Sequence, residues 1–294
     1  MRRILICTPL VGGLPPTYFQ GLVSALLSKS PDVNIDYCFI GGTGVQWARD
    51  ECAHYLLTGK GPDGSAFDEL IFWDKDLQPH PSQVAKLIAY NVPVICGVYA
   101  KRGLPTYWHL DMKPDQPPRE DGLVVANRCA IGFSKIKREV FETLKAKNPQ
   151  RAYKKQDGGA DEVALHEFFP MGITGPNSAE GKLARIRAAV NGTEEYDLGL
   201  KVIEILNDSD YATNRVLGED FYFCELCNAA GIPVLADPSL VINHRGEITY
   251  PIPTPDLMKE VTQPWRKEEV ERLTAQLNGQ TQVVNGQELG QFQK

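Results

Sequence analysis

The chain has 294 residues, 43% of them apolar and 23% charged, with a formal net charge of −6. That is ample apolar material for one large α/β domain or two small ones that fold unaided. The modest charge excludes wholesale disorder and a general affinity for polyanions.

In chain order, Arg3–Thr8 reads as a strand, Pro16–Lys29 as a helix, Val33–Ile40 as a strand, Val45–Leu57 as a helix and Glu69–Trp73 as a strand. After an acidic turn come a helix over Ser82–Tyr90 and a strand over Val92–Val98. Such alternation predicts an α/β fold with a mostly parallel sheet and helices on both faces. Ligands then bind at the carboxyl ends of the strands. From Thr106 the pattern turns to short strands over Tyr107–Leu110, Gly122–Ala126 and Cys129–Ser134, with a helix over Lys137–Lys147. Gln150 to about Asn191 carries Gly158-Gly159, Gly172, Gly175-Pro176 and Gly181 and reads as loops shaping a pocket. A helix-like Leu200–Leu206, a helix over Gly218–Ala230 and strands over Pro233–Ala236 and Leu240–Asn243 follow. Gln263–Leu277 reads as a charged helix and 278–294 as a frayed tail. The expected organisation is one domain over 1–260, with a nucleotide-binding half (1–104) and an irregular acceptor-side half (105–260), then the terminal helix and tail (261–294).

Seven cysteines without paired spacing read as small buried hydrophobes in a reducing compartment. No stretch approaches the roughly 20 apolar residues of a membrane span. The opening run breaks at Pro9, Gly12, Gly13, Pro15 and Pro16, which fits a buried strand better than a secretory signal. The expectation is a soluble, cytoplasmic protein in which the sequon at Asn191 carries no weight.

The strand Phe67–Trp73 turns abruptly acidic at Asp74-Lys75-Asp76. Residues i and i+2 of an extended segment point the same way, so both carboxylates can face one site at the strand's carboxyl end. Mg²⁺ and Mn²⁺ favour such oxygen ligands, together with substrate phosphates. A solvated loop is the alternative, because Asp208-Ser209-Asp210 has the same spacing without a preceding strand. Cys224-Glu225-Leu226-Cys227 has zinc-like spacing but no second cysteine pair, and reads as helix packing. Gly41-Gly42-Thr43-Gly44 matches no phosphate-loop pattern and reads as the turn into the Val45 helix.

Val45–Glu51, Phe72–Asp76, Gly97–Arg102 and Leu217–Asp220, in that order, resemble the landmarks of GT-A glycosyltransferases. The likeness is to compact bacterial and viral members akin to glycosyltransferase family 2, over roughly residues 3–246. It implies a GT-A (Rossmann-like) fold and a nucleotide-sugar donor, a UDP-sugar, used with Mn²⁺ or Mg²⁺. Asp74 and Asp76 would contact metal, diphosphate and ribose. Arg49 would lie near the donor nucleotide, the alternative being a surface helix arginine, and Thr8 and Pro9 would match the nucleoside pocket. His244, ending a strand, would join Asp76 as a metal ligand, the alternative being a polar residue leaving a strand.

Glu219-Asp220 resembles the acidic pair that includes the general base of inverting members, which assigns that role to Asp220. Phe223, Leu226, Cys227 and Ala230 share one helix face, which places the pair in the first turn. Capping is the alternative there, because the helix dipole favours acids. His109, beside Trp108, is a candidate for the acceptor pocket; His54, His80 and His166 have no comparable context.

Residues 128–155 hold nine basic side chains against two acidic ones, followed by Lys182, Arg185 and Arg187. The alternatives are a solvated face or an anionic acceptor, namely a phosphorylated glycan or lipid, or nucleic acid such as hydroxymethylated viral DNA. Two competing functions remain at this level. One is a sugar-nucleotide nucleotidyltransferase, although Thr8–Pro16 lacks that class's basic residues; the other is a non-catalytic nucleotide-sugar-binding module.

Overall fold

A computed structural model describes residues 1–10, 12–27, 31–41, 44–101, 108–113, 116, 119–155, 163–174, 178–190, 195–208 and 214–245. Gly42, Thr43, Arg102, Tyr107, the glycines at 158, 159 and 175, Asn191, Asp210, Gly246 and the expected terminal helix and tail lie outside these residues.

The first half follows the predicted alternation: β1 (Arg2–Leu10), α1 (Pro16–Leu27), β2 (Val33–Gly41), α2 (Val45–Thr58), β3 (Glu69–Trp73), β4 (Leu77–Pro79), α3 (Pro81–Ala89) and β5 (Val94–Gly97). Proline starts α1 and α3, where its missing N–H would have no intrahelical partner. The His80 ring accepts from Ser82 N at 3.3 Å and caps α3. The second half contains β6 (Leu110–Met112), β7 (Val124–Cys129), β8 (Phe133–Lys137), α4 (Arg138–Lys147), β9 (Ala152–Lys154), β10 (Ala164–His166), β11 (Gly172–Thr174), α5 (Ala179–Val190) and α6 (Glu195–Asn207). It closes with β12 (Arg215–Leu217), α7 (Glu219–Ala229), β13 (Val234–Asp237) and β14 (Ile242–His244).

One eight-stranded sheet runs in the order β2-β1-β3-β8-β5-β13-β7-β6. The β1–β2, β1–β3 and β5–β13 pairs are parallel, as the helical crossovers require. However, β8 is antiparallel to both β3 and β5, and β7 to β13, so the sheet is mixed where a mostly parallel one is expected. The single strand expected over Cys129–Ser134 is the end of β7 and the start of β8, joined through Ala130–Gly132; the two run in the same direction on opposite sides of the β5–β13 pair. Because β8 sits between β3 and β5, one sheet spans both sides of residue 104.

Alternate residues sort the core into two layers. Leu5, Cys7, Leu70 and Phe72 face α2, α4 and α7, whereas Ile4, Ile6, Ile71 and Trp73 face α1 and α3. Within the expected loop region 150–191, α5 forms against α6. Its apolar residues make only a weak helical stripe, and Leu183 and Val190 stay exposed. No helix among the described residues is long and apolar enough to cross a membrane.

Candidate active site

The site lies at the carboxyl ends of β1, β3 and β5, beside the first turn of α7. α2 buries Ala48, Arg49, Cys52, Ala53 and Leu56 on one face. Arg49 therefore occupies a core position and is 3% exposed, not a surface helix arginine. A buried guanidinium demands carboxylate partners. Its Nη2 donates to Asp74 Oδ2 at 2.9 Å and to Oδ1 at 3.2 Å, and its Nε lies 3.6 Å from Glu219 Oε1. The Phe72 ring supports it at 4.9 Å. Its Nη1 has no hydrogen-bond partner among the described residues.

Asp74 immediately follows β3, and its N–H donates to Gly132 O at 2.7 Å. Burial raises the carboxyl above the usual range; Arg49 opposes this and Asp76 adds to it. Gly132 N donates to Tyr99 Oη at 3.0 Å. A Cβ at Gly132 would stand 2.5 Å from Asp74 Oδ2 and against the Tyr99 hydroxyl, so only glycine fits beneath the acid. The ring of Tyr99 lies between His244, 5.3 Å away, and His109, 5.9 Å away, and His109 in turn contacts Phe221.

His244 reaches the acidic turn because β14 pairs with β4 in the register His244↔Leu77 and Asn243↔Gln78. Arg245 N donates to Asp76 O at 2.7 Å and ties the two segments together. The His244 Nδ1 lies 2.6 Å from Ala100 O. A carbonyl can only accept, so Nδ1 carries a hydrogen, and in its neutral form the ring presents the Nε2 lone pair. That lone pair faces Asp76 Oδ2 at 3.4 Å. Two acceptors facing each other call for a cation or a proton between them, and an imidazole with a carboxylate suits a divalent ion. Within 4.8 Å the described residues add no third protein ligand there. Asp74, Asp76 and His244 thus do not close a three-residue set, because Asp74 is turned to Arg49.

Glu219 and Asp220 follow Gly218, the residue that caps α7. Asp220 Oδ1 accepts from Phe221 N at 2.8 Å. Burial, reinforced by Glu219, pushes Asp220 up to about 6, with Arg49 acting in the opposite direction. A carboxylate with a pKa near 6 is ionised at neutral pH yet still basic enough to accept a proton.

Thr8 is fully buried and its hydroxyl is committed locally, contacting Tyr18 Oη and donating to Trp73 O at 2.9 Å. Pro9 is buried beside it on β1. Asp208 pairs with Arg185 at 2.9 Å. Cys224 and Cys227 are buried packing residues of α7.

The basic run 128–155 does not persist as one surface. Lys135 is fully buried against Glu69, Arg128 pairs with Glu225, Arg151 with Glu167 and Lys155 with Glu51. Arg138 donates to Leu56 O, Leu57 O and Phe67 O. Strand alternation and helix rotation send neighbours in sequence to different faces.

Tyr99 lies within the Gly97–Arg102 landmark, but the sequence did not single it out, and no signal pointed to Gly132; the contact between them spans 33 residues. Nor did the sequence single out Asp50. That buried carboxylate accepts from Phe168 N (2.8 Å), Phe169 N (3.1 Å) and Tyr153 Oη (3.1 Å).

No family model and no curated protein matches the chain. Among solved structures, the crystal structure of A197 from STIV aligns at 17% identity over 84% of this chain and 86% of that one, with a TM-score of 0.40. A likeness that shallow leaves the functional reading to the residues themselves.

Proposed function

We propose that the protein is a metal-dependent GT-A glycosyltransferase that moves a sugar from a nucleotide-sugar donor, of the UDP-sugar class, to an acceptor hydroxyl with inversion. The observation that carries this reading is the Asp76–His244 pair, with the Nε2 lone pair facing Oδ2 at 3.4 Å beside a buried arginine ringed by acids. Asp76 and His244 would hold Mn²⁺ or Mg²⁺ and leave its other positions to the donor diphosphate. When bound, the ion neutralises charge that develops on the departing diphosphate.

Arg49 holds Asp74 in place, and Lys75 and Arg245 add positive charge on the same rim. Arg245 Nη1 donates to Thr17 Oγ1 at 3.0 Å, which orients it toward the first turn of α1. Asp220 would take the acceptor hydroxyl's proton as that oxygen bonds to the anomeric carbon and the bond from that carbon to the diphosphate breaks. Tyr99, His109 and Phe221 would form one wall of the acceptor cleft.

A thermal-shift screen of nucleotide sugars with and without Mn²⁺ tests the reading. A donor at about a hundred times its Kd stabilises the fold by roughly 2.7 kcal/mol. The expected result is a metal-dependent rise in Tm with a UDP-sugar that Asp76→Asn largely abolishes, together with slow donor hydrolysis. Stabilisation without hydrolysis or transfer would make the protein a binding module; no metal-dependent response to any nucleotide diphosphate would sink the proposal.

A further inference from the structure

Cys7 on β1 and Cys38 on β2 are in-register neighbours of adjacent parallel strands. Cys52, on the buried face of α2, comes down onto the same layer of the core. The three sulfurs all lie within 4.8 Å of one another, with Cys7 Sγ and Cys38 Sγ 2.8 Å apart, and all three cysteines are free. Elsewhere in this layer the thiol of Cys224 is committed to backbone, donating to Cys129 O and accepting from Cys129 N at 3.4 Å. The triad instead turns its sulfurs toward a common centre.

The geometry points to Cys7, Cys38 and Cys52 as a three-thiolate binding site for a soft, thiophilic metal ion. Metal–thiolate bonds of about 2.3 Å in a trigonal arrangement separate the sulfurs by about 4 Å, within the 4.8 Å span of the triad once the Cys7 and Cys38 sulfurs move apart from 2.8 Å. Thiolates select soft ions of the Cu⁺, Zn²⁺ and Cd²⁺ kind and reject the Mg²⁺ and Mn²⁺ that suit Asp76. An apolar surround favours soft, sulfur-rich ligation over an oxygen shell. Entry is provided by Cys38, which is half-buried because β2 is an edge strand, whereas Cys7 and Cys52 are fully enclosed. Among the described residues no fourth His, Cys, Asp or Glu joins them. A Zn²⁺ or Cd²⁺ ion would therefore complete its shell with water on the Cys38 side.

The site ties α2 to the β1–β2 pair. Cys52 lies three residues after Arg49 on the same helix face, and Cys7 precedes Thr8. A loaded triad would therefore stiffen the wall that positions Arg49 against Asp74. The inference is independent of the glycosyl-transfer reading, because it concerns sulfur ligation alone.

The test is an anaerobic titration of the full, reduced chain with Cd²⁺ against a competing chelator, read by sulfur-to-metal charge-transfer absorption, to which Asp76 and His244 are silent. The expected result is saturation at one equivalent and a rise in Tm. C38S should weaken binding roughly a hundredfold or more, whereas C227S should leave it unchanged. Since Cys38 is half-exposed, C38S should fold, and an unaltered circular dichroism spectrum without metal verifies this. A charge-transfer band that survives in C38S, or the lack of a saturable band in fully reduced protein, overturns the site.

Discussion

Asp220, proposed above as the general base, shows how tertiary surroundings change the basicity of a side chain in a way its sequence position does not settle. The first turn of a helix favours an ionised carboxylate through the dipole, which by itself would make Asp220 a weak base. Burial and the charge of Glu219 outweigh that, and raise it to about 6. The rate of sugar transfer is therefore expected to rise as pH increases through about 6, where Asp220 loses its proton, and to level off above about 7. Asp220→Asn should lower kcat by roughly 10²–10⁴ while metal-dependent donor binding persists. Equal loss of donor binding would assign the residue to structure. Arg49 and His244 were legible as candidates from their places in the chain. What fixes their placement is burial in one case and the acceptor facing Nδ1 in the other.

At the level of elements, α2 serves both the site and the fold. Arg49 and Asp50 are adjacent, yet one reaches the acidic cluster and the other anchors the segment after β10 through the N–H groups of Phe168 and Phe169. Burial pushes Asp50 up to about 7, against the pull of those hydrogen bonds. A folded-state pKa above the ordinary carboxylate value means the native state holds the proton more tightly than the unfolded chain. Stability from this group is complete at low pH and is lost as pH rises from about 4 to about 7. Urea unfolding should therefore show a loss on the order of 2–4 kcal/mol across that window. Asp50→Asn keeps an acceptor for both N–H groups and should flatten the slope; an unchanged slope would place the titration elsewhere. The α2 helix itself was legible from Val45 onward, but α5 was not, because its weak stripe packs only against α6.

Across the whole molecule, β8 joins two parallel groups of strands by running antiparallel between them. Lys135 sits at its centre, with Nζ 3.1 Å from Glu69 Oε1, 3.3 Å from Ile88 O and bonded to Tyr90 O. Lys135→Met should leave Glu69 buried with, among the described residues, only Arg2 Nε, at 3.6 Å, for partial compensation. The expected loss is about 3–5 kcal/mol, seen as a lower urea midpoint at constant slope, with much of it recovered when Glu69→Leu is added. A neutral result for the single variant would show that the pair is not needed to join the sheet. The lysine looked like part of a basic surface because strand alternation is visible in sequence only when apolar residues mark the inner face. The sequence by itself determined the alternation of the first half, the strand that delivers Asp74 and Asp76, and the helix that opens at Glu219, since each depends on local periodicity and capping. Only the tertiary structure decided that β8 lies antiparallel between β3 and β5, that β14 lies on β4 and aims His244 at Asp76, and that three cysteines from β1, β2 and α2 converge. Those outcomes depend on pairings between distant segments, and such pairings are chosen by burial and hydrogen bonding of the whole sheet.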